Sequence, residues 1–313
     1  MEVRVLGALG VRVCGVSVVP SASKPRQVLG LLALRADQVV SAGVLAQELW
    51  GGRPPRSART TVQTYVLQLR DLIARALVEG SGSGVGASGS GSGVGVGCAK
   101  DVLVTSPGGY MLNSGGGLVD VREFERLAGL GYRAMDGGDF PGGARLLGEA
   151  LGLWGGGAFE DVVVGGVLGV EARRLEETRL CALDQRIEAD LRLGRHRVLL
   201  AELTVLVERY RTHENLHGQF MVALHRSGRR GEALEVYARL RGTLVRELGM
   251  EPSVYLRRLQ RSILMAAPDG PLERVGAGAG GPGAGSAGAG STGGAAAAGE
   301  SATAGGGRFV QVR

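Results

Sequence analysis

Residues 31–70 read LLALRADQVVSAGVLAQELWGGRPPRSARTTVQTYVLQLR, and the fold follows from how this stretch divides. Its first residues continue a helical spacing that opens at Ser23 and Pro25, an N-terminal signature, and carries Val28, Leu29, Leu31, Leu32 and Leu34. A short extended piece, Gln38 to Val40, leads to Ser41, the expected N-cap of a second helix ending at Trp50. Gly51 to Arg56 holds two glycines and two prolines and reads as a turn. Ser57 is expected to cap a third helix running to about Leu77. Along it Val62, Val66, Leu69, Ile73 and Leu77 recur at i, i+4, i+7, i+11 and i+15, a single apolar stripe.

Toward the N-terminus, Val3/Val5, Val11/Val13 and Val16/Val18/Val19 form short β-rich runs broken by Gly7, Gly10 and Gly15, the pattern of a small antiparallel meander. Toward the C-terminus, Asp101 to Thr105 and Tyr110 to Leu112 flank Ser106-Pro107-Gly108-Gly109, a strand–turn–strand signal. Sheet, three helices and a terminal hairpin predict an α+β winged helix-turn-helix domain with the hairpin as wing. With the Val62 stripe turned inward, Thr60, Thr64, Leu67, Gln68 and Asp71 face outward. Thr60, Gln63, Thr64 and Gln68 are the candidates for reading base edges in the major groove. Arg53, Arg56, Arg59 and Arg70 surround them as candidates for phosphate contacts, which position the protein without specifying sequence. Asp71, on the same face, is repulsive toward DNA. An alternative stays open, a repeat scaffold for protein interaction whose winged domain has lost specific DNA binding.

From Val121 to about Met265 the pattern is helical and repetitive. Gly138-Asp139-Phe140, Gly194-Arg195-His196 and Gly228-Arg229-Arg230 each begin a turn followed by a Leu/Ala-rich helix. The last two turns lie 34 residues apart, the tetratricopeptide period. The first two lie 56 apart, so about 22 extra residues, around Gly155 to Gly166, separate those units. An all-α, tetratricopeptide-like repeat domain follows, with a concave binding surface and not a catalytic centre as its usual function.

Composition narrows the class further. The chain of 313 residues carries 56 glycines, 21% charged residues and a net charge of +6. Residues 1–119 hold net +5 and residues 120–265 only +1, so an anionic partner is expected at the N-terminal third. Gly80–Gly97 and Gly276–Gly307 hold too few large apolar side chains to offset their ordering entropy and read as linker and tail. No apolar run approaches the ~18 residues a membrane-spanning helix needs, and the apolar start lacks a basic leader, so a cytoplasmic protein is expected. Cys14, Cys98 and Cys181 are an odd set at no metal-like spacing. Cys181 lies among Leu180, Leu183 and Ile187, where a buried, inert thiol is expected. His213-Glu214-Asn215-Leu216-His217 matches H-E-x-x-H, a zinc-peptidase pattern, but Ala223 stands where a third histidine would fall, and the segment opens a repeat helix. Gly84-x-Gly86-x-x-Gly89 matches a dinucleotide fingerprint only through its glycine content, with no strand before it and no helix after. No phosphate-binding lysine loop is present. The expectation is a non-enzyme with no cofactor and no metal.

The ordered set of motifs resembles the SARP-type antibiotic-pathway activators of actinobacteria, an OmpR-like winged helix followed by a bacterial transcriptional activation domain. The matching stretches are VRVLGALGVRV at Val3–Val13, the 31–70 stretch quoted above, and SPGGYML at Ser106–Leu112. In the second domain they are EARRLEETRLCALDQRIEADLRLGRH at Glu171–His196 and MVALHRSGRRGEALEVYARLRGTLVRELGMEPS at Met221–Ser253. The resemblance implies a winged-helix DNA-binding domain over 1–115 with a Gly-rich insertion at 80–97, an activation domain over 116–266, and a tail over 267–313. It implies that the Arg59–Arg70 helix is the recognition helix and Asp101–Asn113 the wing. Where the family usually has Ser-Arg-Leu-Arg-Arg, this chain has Leu67-Gln68-Leu69-Arg70-Asp71. The implied partners are double-stranded promoter DNA with direct repeats, RNA polymerase holoenzyme and a second copy of the chain. The implied role is activation of a secondary-metabolite gene cluster in the cytoplasm, at the nucleoid.

Overall fold

Alternation of valines with glycine and polar residues gives three short strands, β1 (Glu2–Arg4), β2 (Gly10–Val13) and β3 (Val16–Ser17), paired antiparallel in sequence order. The computed structural model describes residues 1–82 and 98–265. Helix α1 (Ser23–Leu34) follows; its N-cap is Ala22 rather than Ser23, which already lies in the first turn. Strand β4 (Val40–Ser41) leads into α2 (Ala42–Trp50), and Ser41 caps it as expected, its hydroxyl accepting from the Val44 amide at 3.2 Å. Helix α3 (Ala58–Gly82) starts after Ser57 and runs five residues past Leu77, so the first residues of the expected glycine linker are helical. The rest of that linker, and the expected tail over 267–313, lie outside the described residues.

The predicted strand at Asp101 begins later. Asp101 accepts from the Cys98 amide at 2.9 Å and closes a one-turn helix, α4 (Ala99–Val102), before β5 (Leu103–Ser106) and β6 (Gly109–Leu112) form the wing hairpin. Strand β4 adds to β6, giving a three-stranded sheet in the order β4-β6-β5. The N-terminal sheet likewise gains a member that the meander pattern does not show. Strand β7 (Leu118–Val119), after the wing, pairs parallel with β1 and makes the order β3-β2-β1-β7.

Seven helices complete the described chain: α5 (Asp120–Asp136), α6 (Phe140–Leu151), α7 (Gly166–Arg192), α8 (His196–Arg209), α9 (Glu214–Arg226), α10 (Arg230–Leu248) and α11 (Val254–Met265). The three repeated turns share one device. Gly138, Gly194 and Gly228 all have φ between +75° and +81°, a left-handed conformation that ends a helix at low cost only for glycine. In each, the amide of the next residue reaches back five positions, Asp139 to Ala134, Arg195 to Asp190 and Arg229 to Leu224, all at 2.9 Å. That bond caps the ending helix and aims the chain straight into its antiparallel partner.

Packing divides the described residues into two hydrophobic cores. One runs from Val3 through the three winged-domain helices and on to Phe124, Leu147, Trp154, Phe159, Leu168, Leu175 and Ala182. The second runs from Ile187 to Ile263. Helix α7 belongs to both. Cys181 departs from expectation, being exposed. The buried positions of α7 beside it are Leu168, Leu175 and Ala182, a seven-residue rhythm, and one residue back from Ala182 the side chain turns about 100° away to solvent.

Candidate nucleic-acid interface

The stripe Val62, Val66, Leu69 and Ile73 is buried to within 2% exposure, which fixes the rotation of α3. Thr60, Gln63, Thr64, Leu67, Gln68 and Asp71 are then all exposed, as are Arg53, Arg56 and Arg59 in the turn and first residues before and within the helix. Among the described residues, the guanidinium groups of these three arginines make no hydrogen bond or ion pair. The hydroxyl of Thr64 donates to the Thr60 carbonyl at 3.1 Å, which leaves its oxygen free to accept. Leu67, 58% exposed, offers a large apolar contact among these polar residues.

Arg70 has a different place. Its Nε and Nη2 donate to the Leu103 carbonyl at 3.0 and 2.7 Å, and Nη2 also donates to the Thr105 hydroxyl at 2.7 Å. The residue therefore clasps β5 and fixes the wing to α3, although about twenty residues of chain separate the two elements. Asp71 is exposed, about 16 Å along the helix from Thr60 at 1.5 Å per residue.

Several polar residues that hold this surface in place carry no motif. Glu48 is 2% exposed, and Gln27, from α1, donates to its Oε1 at 2.8 Å. The amides of Gly165, Val167 and Leu168 donate to the same carboxylate, the latter two at 2.9 Å, so α2 supplies the N-terminal cap of α7. A Cβ on Gly165 would stand 2.0 Å from the Glu48 carbonyl oxygen, so only glycine permits this approach. Lys24 ties α1 to the end of α2 through the Leu49 carbonyl at 2.7 Å. Asp37 accepts from the Ser114 amide and hydroxyl, both at 2.6 Å, and pairs with Arg122, joining the turn after α1 to the wing exit and α5. Burial pushes the Asp37 carboxyl up, but Ser114 and Arg122 outweigh it and the net direction is down. Asp120 accepts from the Val5 and Leu6 amides at 2.7 and 2.9 Å; burial dominates there and raises it.

The roughly 22 residues that interrupt the repeat are the seam between winged domain and helices. Gly155, Phe159 and Glu160 donate to the Leu6, Val5 and Gly7 carbonyls at 2.8–3.1 Å. Asp161 accepts from the Leu9 amide at 2.6 Å and pairs with Arg26 at 3.1 Å. The repeat spacing shows this insertion but gives it no task. The signal for Glu48 was its helical spacing with Leu45 and Leu49, which puts a carboxylate on an inward face.

The H-E-x-x-H residues are structural. The ring Nδ1 of His213 accepts from the Leu216 amide as the N-cap of α9, and His217 is buried with Nδ1 3.0 Å from the His213 carbonyl. Glu214 accepts from the Ser253 amide at 2.7 Å, ahead of α11. Burial lowers His217. Among the described residues no group of three or more His, Cys, Asp or Glu side chains is arranged to hold a metal ion, and no helix is long and apolar enough to cross a membrane.

Two family descriptions match the chain: "Transcriptional regulatory protein, C terminal" over residues 17–80 and "Bacterial transcriptional activator domain" over residues 119–264. Regulatory protein DnrI of Streptomyces peucetius is 50% identical over 268 residues, covering 86% of this chain and 93% of that protein. Regulatory protein AfsR of Streptomyces griseus is 34% identical over 79% of this chain, but the match spans only 23% of AfsR. Among solved structures, Mycobacterium tuberculosis EmbR in complex with a low-affinity phosphopeptide superposes with a TM-score of 0.71 at 29% identity, covering 84% of this chain and 64% of EmbR.

Proposed function

The chain belongs to the SARP-type transcriptional activators, an OmpR-like winged helix joined to a bacterial transcriptional activator domain, and from that premise we propose how its surface is used. It is a DNA-binding transcriptional activator of the kind that controls antibiotic gene clusters. In our reading the exposed side of α3 enters the major groove, with Thr60, Gln63, Thr64 and Gln68 toward base edges and Arg53, Arg56 and Arg59 toward phosphates. Arg70 holds the wing so that both elements meet one duplex. Two copies occupy direct repeats beside a promoter, and the helical region, functionally residues 116–266, engages RNA polymerase. The protein acts at the nucleoid.

The observation that carries this reading is a helix whose buried stripe is complete while the first turns of its opposite side present Thr60, Gln63, Thr64, Leu67 and Gln68, with unpaired arginines at its start and the one carboxylate, Asp71, about three turns further along. The test is a footprint by the full chain on promoter DNA, with titrations against random duplex at rising salt. Protection of a repeated element, with affinity falling steeply as salt rises, is the expected result. Equal affinity for promoter and random DNA at physiological salt would return the chain to the scaffold alternative.

A further inference from the structure

Helix α11 buries Leu256, Leu259 and Ile263 in the second core. At about 100° per residue, Val254, Arg257, Arg258, Arg261, Leu264 and Met265 fall on an arc of roughly 120° on the opposite side. All six are exposed, with Val254 at 52%, Leu264 at 45% and Met265 at 80%. No acidic residue occurs between Pro252 and Met265. Of the arginines on the neighbouring α10, Arg241 pairs with Glu251 at 2.7 Å and Arg246 with Glu247 at 3.4 Å, while Arg230 donates to the Leu264 carbonyl at the end of α11. Among the described residues, the guanidinium groups of Arg257, Arg258 and Arg261 make no ion pair or hydrogen bond. On the N-terminal side the nearest acid, Glu251, is held by both Nε and Nη2 of Arg241 and also feels the charge of Arg257; on the C-terminal side the nearest, Asp269, lies outside the described residues.

A helix at the outer side of stacked repeats needs only a polar face to stay soluble. An acid-free face that mixes arginine with methionine, leucine and valine is instead the composition of a protein interface. We propose that the outer face of α11 docks an acidic, partly apolar segment of RNA polymerase holoenzyme. The inference rests on the reading that this chain recruits polymerase, and it names the surface. A second copy of α11 on the same face would set three arginines against three. A lipid surface would need the apolar side of the helix, which is already buried in the core. DNA phosphates would match the arginines but leave Val254, Leu264 and Met265 without a role.

The test compares the full-length wild type, the triple variant Arg257→Ala/Arg258→Ala/Arg261→Ala and the charge-retaining triple Lys variant. Each is assayed for melting temperature, footprint on promoter DNA, and retention of purified holoenzyme on that DNA. The expected result is an unchanged melt and footprint for the Ala variant with about tenfold weaker holoenzyme retention, partly restored by Lys and reduced by salt. Equal retention by wild type and Ala variant overturns the proposal. A footprint that weakens in step with retention overturns it too, and assigns α11 to DNA. A wild type that binds its promoter but retains no holoenzyme removes the recruitment reading itself.

Discussion

Thr64 and Gln68 lie one helical turn apart on the exposed side of α3, and the two substitutions separate specificity from affinity. If each makes one good base contact, Thr64→Ala and Gln68→Ala should each narrow the gap between operator and scrambled duplex by about 1–3 kcal/mol. Arg56→Ala and Arg59→Ala should instead weaken both duplexes alike and lower the salt slope by about one each. Titrations at three salt concentrations read both quantities from the same samples. His217 makes a second residue-level prediction. Its folded-state pKa lies below the ordinary value, because burial penalises the imidazolium. The contribution is therefore complete above about pH 6.5 and is lost as pH falls, since the unfolded chain takes up a proton that the folded chain refuses. Urea unfolding at pH 7.5, 6.5 and 5.5 should show stability falling with pH, and more shallowly in His217→Asn, whose amide can still donate to the His213 carbonyl. His225, lowered by burial and by Arg230 and Arg226, keeps part of the slope in the variant. Identical slopes in the two proteins would show that His217 is not the titrating group.

At the scale of elements, the wing depends on one side chain. Arg70→Met keeps the bulk of the stem but removes all three bonds to β5, and should cost about 2 kcal/mol of stability together with faster amide exchange in Leu103–Ser106. Lysine should restore little of it, since a single ammonium cannot reproduce the forked contact. At the repeated turns, Gly228→Ala forces a side chain into a left-handed backbone and should cost about 1–2 kcal/mol by the same unfolding assay. These elements were legible because their signals are local. The α3 stripe is a spacing, the three turns are glycines at helix ends, and Ser41 is a cap beside its helix. What escaped reading was non-local. Strand β7 is two residues long and acquires its identity only by lying against β1, more than a hundred residues away. Asp101 reads as the start of a strand until its side chain is seen to hold the Cys98 amide. For the candidate interface, the outward residues followed from the stripe, whereas the engagement of Arg70 by the wing required knowing where β5 lies.

Across the whole molecule, the decisive feature is that winged domain and first helices share a core, latched by Glu48. Glu48→Gln keeps shape but sets an amide donor among the amides of Gly165, Val167 and Leu168. It should destabilise the protein by about 2–4 kcal/mol and reduce transcription more than DNA binding. Unfolding curves, a footprint and run-off transcription on one preparation check all three. A variant with normal stability would remove Glu48 from this role. Helix α7 then has a consequence for promoter geometry. It is 27 residues long, about 40 Å at 1.5 Å per residue, and is clamped at its start by the DNA-binding end. A tilt of about 10° at Gly165 would displace its far end by roughly 7 Å, so the helix behaves as a lever and not as a tether. Each base pair added between operator and promoter turns the bound protein by about 35° around the duplex, given 10–10.5 base pairs per turn. A stiff lever passes that rotation undiminished to the far core, so activation becomes a matter of angular phase. Five base pairs inserted between operator and promoter should therefore silence run-off transcription, by turning the activator to the wrong side of the double helix, and ten should bring it back.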